Sequence, residues 1–189
     1  LRAGYQRIDV VFDRYRDEAI KGATRTRRSK SARPIRRPIE SRDVPLPINW
    51  NNFISLAENK ADLANFLSEH LSSQAPHDKE IVVAGGFTDE SEVSSSNKFT
   101  DLEMLRSSHE EADTRLVLHA VHSQYKTVVV ASRDIDVLLL LLSHFPVARC
   151  EQLWMMSGTS KKRRYIPIGD VFHTLPIGSS TALLQFHAL

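Results

Sequence analysis

The sequence predicts an α/β fold with a mostly parallel central sheet flanked by helices, of the Rossmann-like kind. Three observations carry that expectation. Short β-branched runs, IDVVFD (8–13), EIVVAGGF (80–87) and KTVVVAS (126–132), alternate with stretches of helical periodicity. The runs IVVAGG and VVVAS are apolar throughout rather than alternating, as strands buried on both faces are. Strands separated by helices favour a parallel order.

The elements follow in order. IDVVFD is a buried strand that closes on Asp13. DEAIKGATRTRR (17–28) has weaker helical character, interrupted by Gly22 and basic in its second half. SKSARPIRRPIESRDVPLPI (29–48) holds four prolines and reads as a linker, so that 14–48 forms a basic helical and Pro-rich segment. Residues 50–73 form an amphipathic helix in which Phe53, Leu56, Ala57, Leu63, Phe66, Leu67 and Leu71 recur at helical spacing. EIVVAGGF is a second buried strand, and TDESEVSSSNKFT (88–100) a polar, flexible loop.

SSHEEADTRLVLHAVHSQ (107–124) reads as a helix opened by a capping box from Ser108 to Glu111. KTVVVAS is the next strand and DVLLLLLSHF (136–145) the next helix. EQLWMMSG (151–158) is a strand with Trp154, Met155 and Met156 mainly in the core. KKRRYIPIGDVF then gives a basic turn and a short extended piece, and its cations suit phosphate contact or a solvated turn equally.

The chain of 189 residues supports a single domain with a sizeable core. A content of 41% hydrophobic and 25% charged residues is that of a globular chain. The net charge is only +2, but eleven Lys/Arg against three acids lie between Arg14 and Arg42. That run has the composition of a basic arm or, over 25–42, a nuclear-localisation signal. Cys150 is the sole cysteine, which excludes an internal disulfide and a Cys-based zinc site and fits an intracellular compartment. No apolar run approaches the roughly 18–20 residues of a membrane span. The chain opens inside what reads as structure and stops at FHAL, so a piece of a longer protein, truncated at both ends, is expected.

Carboxylates recur where chemistry is expected. Ligands of open α/β sheets bind beyond the carboxyl ends of the strands. Asp13 closes the first strand, Asp134 and Asp136 follow the Val-rich one, and Glu111 and Asp113 open the helix that leads to it. Positions 111 and 113 diverge by about 200° on a regular helix, so they share an ion only from an irregular first turn. Glu111 and Asp113 also suit the first turn of a helix, and Asp134 or Asp136 a helix cap. Against caps alone stands their number: clustered carboxylates repel unless a cation neutralises them. Oxygen ligands without Cys select Mg²⁺ or Mn²⁺.

VFD, a basic stretch, EEAD, a Val-rich strand and D-x-D, in that order, resemble the PIN-like nuclease domain of the flap endonuclease/XPG type. IDVVFDRYRDEAIK, SHEEADTRLVLHA, VVVASRDIDVLLLL and LWMMSGTSKKRRYIPI are similar to an animal group of such domains often associated with mobile-element-like genes. The resemblance implies a PIN-like fold and metal-dependent phosphodiester hydrolysis, with nucleic acid, DNA by the family's habit, as partner. It implies that Asp13, Glu111, Asp113, Asp134 and Asp136 bind two Mg²⁺ or Mn²⁺ ions, and that Lys21 and Arg28 meet the scissile phosphate. The family's first aspartate would precede Leu1 and its last, in a Gly-x-Asp turn, would follow Leu189. Those departures leave open a non-catalytic PIN-like module that binds nucleic acid or protein. A haloacid-dehalogenase-type phosphotransferase also starts from a strand ending in aspartate, but VFDRY lacks the second acid two residues on.

Overall fold

The computed structural model describes residues 4–14, 35–109, 111–159 and 161–187. Lys21 and Arg28, the predicted phosphate-contacting pair, lie outside them, as does most of the basic segment. The architecture is α/β, and the chain divides into two compact units, Leu1–Ala112 and Asp113–Leu189. No helix among the described residues is long and apolar enough to cross a membrane.

The first unit is built on strands β1 (Arg7–Val11), β2 (Glu80–Ala84) and β3 (Val93–Ser95), in that order across the sheet. β1 runs parallel to β2 in the register Arg7↔Glu80 to Val11↔Ala84, and β3 is antiparallel to β2. β2 is the buried centre, with Val82, Val83 and Ala84 wholly enclosed. β3 lies within the stretch that the sequence marks as a polar loop. It carries one buried apolar residue, Val93, and is held by hydroxyls. Ser95 and Thr100 both donate to Glu80 Oε1, Ser94 donates to Ser72 Oγ, and Ser96 Oγ accepts the Ile81 N–H. Serine partners this far away in sequence leave no periodicity to read.

The predicted 50–73 helix is two helices, α1 (Trp50–Phe53), capped by Asn49, and α2 (Ala57–Ser73). α2 packs on β2 through its small residues, with Ala64 and Ser68 buried. The approach is close: a Cβ at Gly86, whose φ is +76°, would stand 2.5 Å from Ser68 Oγ. Bulky side chains do not fit there. The apolar stripe of Leu63, Phe66 and Leu67 therefore faces the Pro-rich segment instead. Together with Val44, Pro45, Trp50 and Phe53 it lines a cavity of about 220 Å³.

That segment is fastened, at least over its described residues 35–48. Asn59 is wholly buried. Its amide donates to the Ile35 and Phe53 carbonyls at 3.0 and 2.9 Å. Its Oδ1 accepts the Arg37 backbone N–H at 2.8 Å and the Arg36 guanidinium at 3.2 Å. Arg36 also pairs with Asp62 at 2.7 Å.

The second unit holds α3 (Ala112–His122), which begins one residue before the unit boundary, β4 (Thr127–Ala131), α4 (Ile135–His144), β5 (Gln152–Thr159), β6 (Lys162–Pro167), α5 (Ile168–Thr174) and α6 (Ser179–His187). β4 and β5 are parallel, from Thr127↔Gln152 to Ala131↔Met156. β6 is antiparallel to β5, so the predicted basic turn and extended piece are a strand and a helix. Val117 and Val121 of α3, Val130 of β4, Val137 and Leu141 of α4, Met155 of β5 and Ile168 of α5 form the core. The leucine run of α4 adds Leu141 and Leu142 to it, with Leu138 and Leu140 packed against it. Each sheet thus has three strands, one pair parallel and one antiparallel, where the sequence alone suggested one mostly parallel sheet.

Candidate functional site

In the first unit the candidate acid Asp13 is positioned by the parallel pair. The Phe12 N–H still bonds the Ala84 carbonyl at 2.9 Å, which carries β1 one residue beyond its regular end. Gly85, at φ +75°, allows the exit of β2 to pass against the Phe12 backbone, where any Cβ would collide with the Phe12 carbonyl oxygen. Ser68 Oγ donates to the Gly85 carbonyl at 3.0 Å and steadies the turn. Asp13 therefore leaves the carboxyl end of a two-strand parallel edge. Next to it in sequence, Arg14 is nearly enclosed and pairs with Glu90 at 2.9 Å. Hydrogen bonds from the Ser91 backbone and hydroxyl hold the Asp89 carboxyl below the usual carboxylate range, helped by the charges of Arg106 and Arg14.

Asp13 has a distant partner. Its Oδ1 accepts the backbone N–H of Ala112 at 2.9 Å, across 99 positions. Ala112 is the first residue of α3, whose opening N–H groups have no carbonyl within the helix. This replaces the expected capping box. Ser107 Oγ instead accepts the His109 N–H at 3.1 Å in a local turn, and the helix starts at Ala112 rather than near Ser108. Glu111, exposed, immediately precedes it.

In the second unit Asp113 stands in the first turn of α3, half-buried. Two residues on, Arg115 is wholly buried, and His119 nearly so. Sequence reasoning passed over Arg115. A guanidinium taken out of water is tolerated only where acceptors meet it, and its sole sequence signal is the four-residue step from Glu111. Asp134 and Asp136 lie beyond the carboxyl end of β4, both exposed. The Ser132 N–H bonds the Met156 carbonyl at 3.1 Å, and Ser132 Oγ accepts the Asp134 N–H at 3.1 Å. Asp134 is the N-cap of α4, and Asp136 occupies that helix's first turn.

The donors are hard oxygens, the type that Mg²⁺ and Mn²⁺ take. Asp13 and Asp134 each accept a backbone N–H on Oδ1. A carboxylate has acceptor sites to spare on both oxygens, so capping and ion binding are compatible at each. Among the described residues no group of three or more His, Cys, Asp or Glu side chains is gathered as an ion-holding set. Comparisons with protein-family models, with curated proteins and with solved structures find no match to this chain.

Proposed function

We propose that the chain belongs to a divalent-metal-dependent phosphodiesterase acting on DNA, similar to the PIN-like, Rossmann-like nuclease domain of the flap endonuclease/XPG type. Asp13, Glu111, Asp113, Asp134 and Asp136 are its ligands for two Mg²⁺ or Mn²⁺ ions, Lys21 and Arg28 its phosphate contacts, and the basic 25–42 run its nuclear-localisation signal. Bound ions would supply an activated water and neutralise the departing oxygen. The chain's own part is to hold carboxylates at strand ends, where α/β folds carry their ligands.

One observation carries this proposal. The acid closing VFD and the residue inside E-A-D, 99 positions apart, are joined by a hydrogen bond. Asp13 and Ala112, one from each of two motifs that the resemblance groups together, are thereby adjacent within the first unit. Exposed Asp134 and Asp136 at the end of β4 add support from the second.

The test is cleavage of 5′-flap DNA in Mg²⁺ by the protein and by Asp134→Asn/Asp136→Asn, with Mn²⁺ binding followed by calorimetry. The asparagine pair keeps the helix cap and removes the charge. Loss of both cleavage and Mn²⁺ heat is expected; equal cleavage by the two proteins would falsify the proposal. A non-catalytic PIN-like module is favoured by the capping work of Asp13 and Asp134, which needs no ion. For that module nucleic-acid binding persists, cleavage is absent, and the asparagine pair changes neither.

A further inference from the structure

The β5–β6 ribbon outruns its sheet. β4 accompanies β5 only as far as Met156, while β5 continues through Ser157, Gly158 and Thr159 paired with β6 alone. The register closes at Thr159↔Lys162, so a two-stranded tip stands beyond the third strand. Gly158, at φ +94°, gives the tip its tight course: a Cβ there would run into the Lys162 carbonyl oxygen.

The side chains of this tip are unusual for a ribbon. Lys161, Lys162, Arg163 and Arg164 are all exposed, and Tyr165 is 49% exposed. Across the ladder they face Thr159, Gly158 and Ser157, small residues without charge. Cross-strand acids would normally balance such cations. No ion pair of these four residues occurs among the described residues. Alternation along the strand sends Lys162 and Arg164 to the face that continues Met155 and Ile166, and Arg163 and Tyr165 to the opposite face. The tip therefore carries positive charge on both sides.

We propose that this ribbon tip is a duplex-nucleic-acid contact, with Lys162 and Arg164 meeting phosphates of one strand and Arg163 those of the other. A flat anionic surface engages one face of a ribbon and leaves the second unused. A groove bounded by two phosphate walls engages both, and the major groove, about 12 Å wide, admits a two-stranded ribbon. The site extends the nucleic-acid reading above but uses none of its acids, so the two fail separately.

The experiment measures binding of a short labelled DNA duplex in EDTA, where no cleavage occurs, over a range of salt. The protein is compared with Lys162→Gln/Arg163→Gln/Arg164→Gln, with each single Gln variant, and with the charge-preserving Arg163→Lys/Arg164→Lys. Melting curves check that each is folded. The slope of log K against log salt should flatten by about 0.9 for each cation removed, with affinity falling about tenfold or more in the triple variant. The Lys variant should bind as the parent does, and the loss in the triple Gln variant is read in EDTA whether or not Asp134→Asn/Asp136→Asn abolishes cleavage. Unchanged slopes in all Gln variants overturn the site. Equal losses on single-stranded DNA overturn the groove assignment, and losses confined to phosphatidylserine vesicles overturn the nucleic-acid assignment.

Discussion

Asp134 Oδ1 accepts the backbone N–H of Asp136 at 3.1 Å, so the first acid of the D-I-D sequence caps the helix whose first turn holds the second. Stability and chemistry can be separated at this one residue. Asp134→Ala should destabilise the protein by about 1 kcal/mol, the usual value of an N-cap, whereas Asp134→Asn should be close to neutral. Urea denaturation reads the difference. Equal losses in both variants would mean that charge, not the cap bond, is what α4 uses.

Asn59→Ala should remove about 1–3 kcal/mol, since loss of a buried amide with four partners takes away the bonds to the Ile35 carbonyl and the Arg37 N–H, while the Phe53 carbonyl keeps the Leu56 N–H. Limited proteolysis gives a second readout. New cleavage between 35 and 48 is expected in the variant, and an unchanged digestion pattern would show that the segment is held by something else.

Gly85→Ala should destabilise by at least about 1–3 kcal/mol, because a left-handed φ is combined with collision against the Phe12 backbone. Gly178 serves as the control. Its φ is +80°, but a Cβ there meets nothing within 4 Å, so Gly178→Ala bears the backbone strain alone. Comparable melting temperatures for the two variants would contradict the close approach at the β2 exit.

Burial holds the His122 imidazole below its usual pKa of 6.5, and the charges of Arg149 and His119 push the same way. Its Nδ1 is buried with no hydrogen-bond partner among the described residues. A depressed folded pKa means that the unfolded chain binds the proton first as pH falls. Stability should therefore be level above pH 6.5 and decline below it, towards the depressed folded value. His122→Gln should remove this part of the decline, read from melting temperatures across that range. An identical pH slope in the variant would exclude His122 as its source.

What the sequence reveals depends on distance along the chain. β4 and α4 are legible because their signals are local: a valine run, then a cap and a leucine run within a few residues. β3 is not, since a single valine and several serines become a strand only through Glu80 and Ser72. The start of α3 is misread because its acceptor, Asp13, belongs to another strand. The partner of each face of α2 is not legible either, since it is Gly86 that admits only small neighbours and leaves the larger apolar side chains to the Pro-rich segment. The acids of the candidate site are legible as residue types at strand ends. Spacing along the chain does not encode which of their oxygens meet a backbone N–H, as those of Asp13 and Asp134 do.

The ribbon tip also bears on what a second copy of this chain would meet at the β6 edge. β6 closes its sheet, and an open strand edge can zip to the same edge of a second molecule. Here such pairing would stack Lys162, Arg163 and Arg164 against their like, and repulsion would oppose it. A polyanion supplied near charge equivalence would cancel that repulsion. Self-association should then appear at low salt and dissolve again when either the polyanion or the salt is in excess.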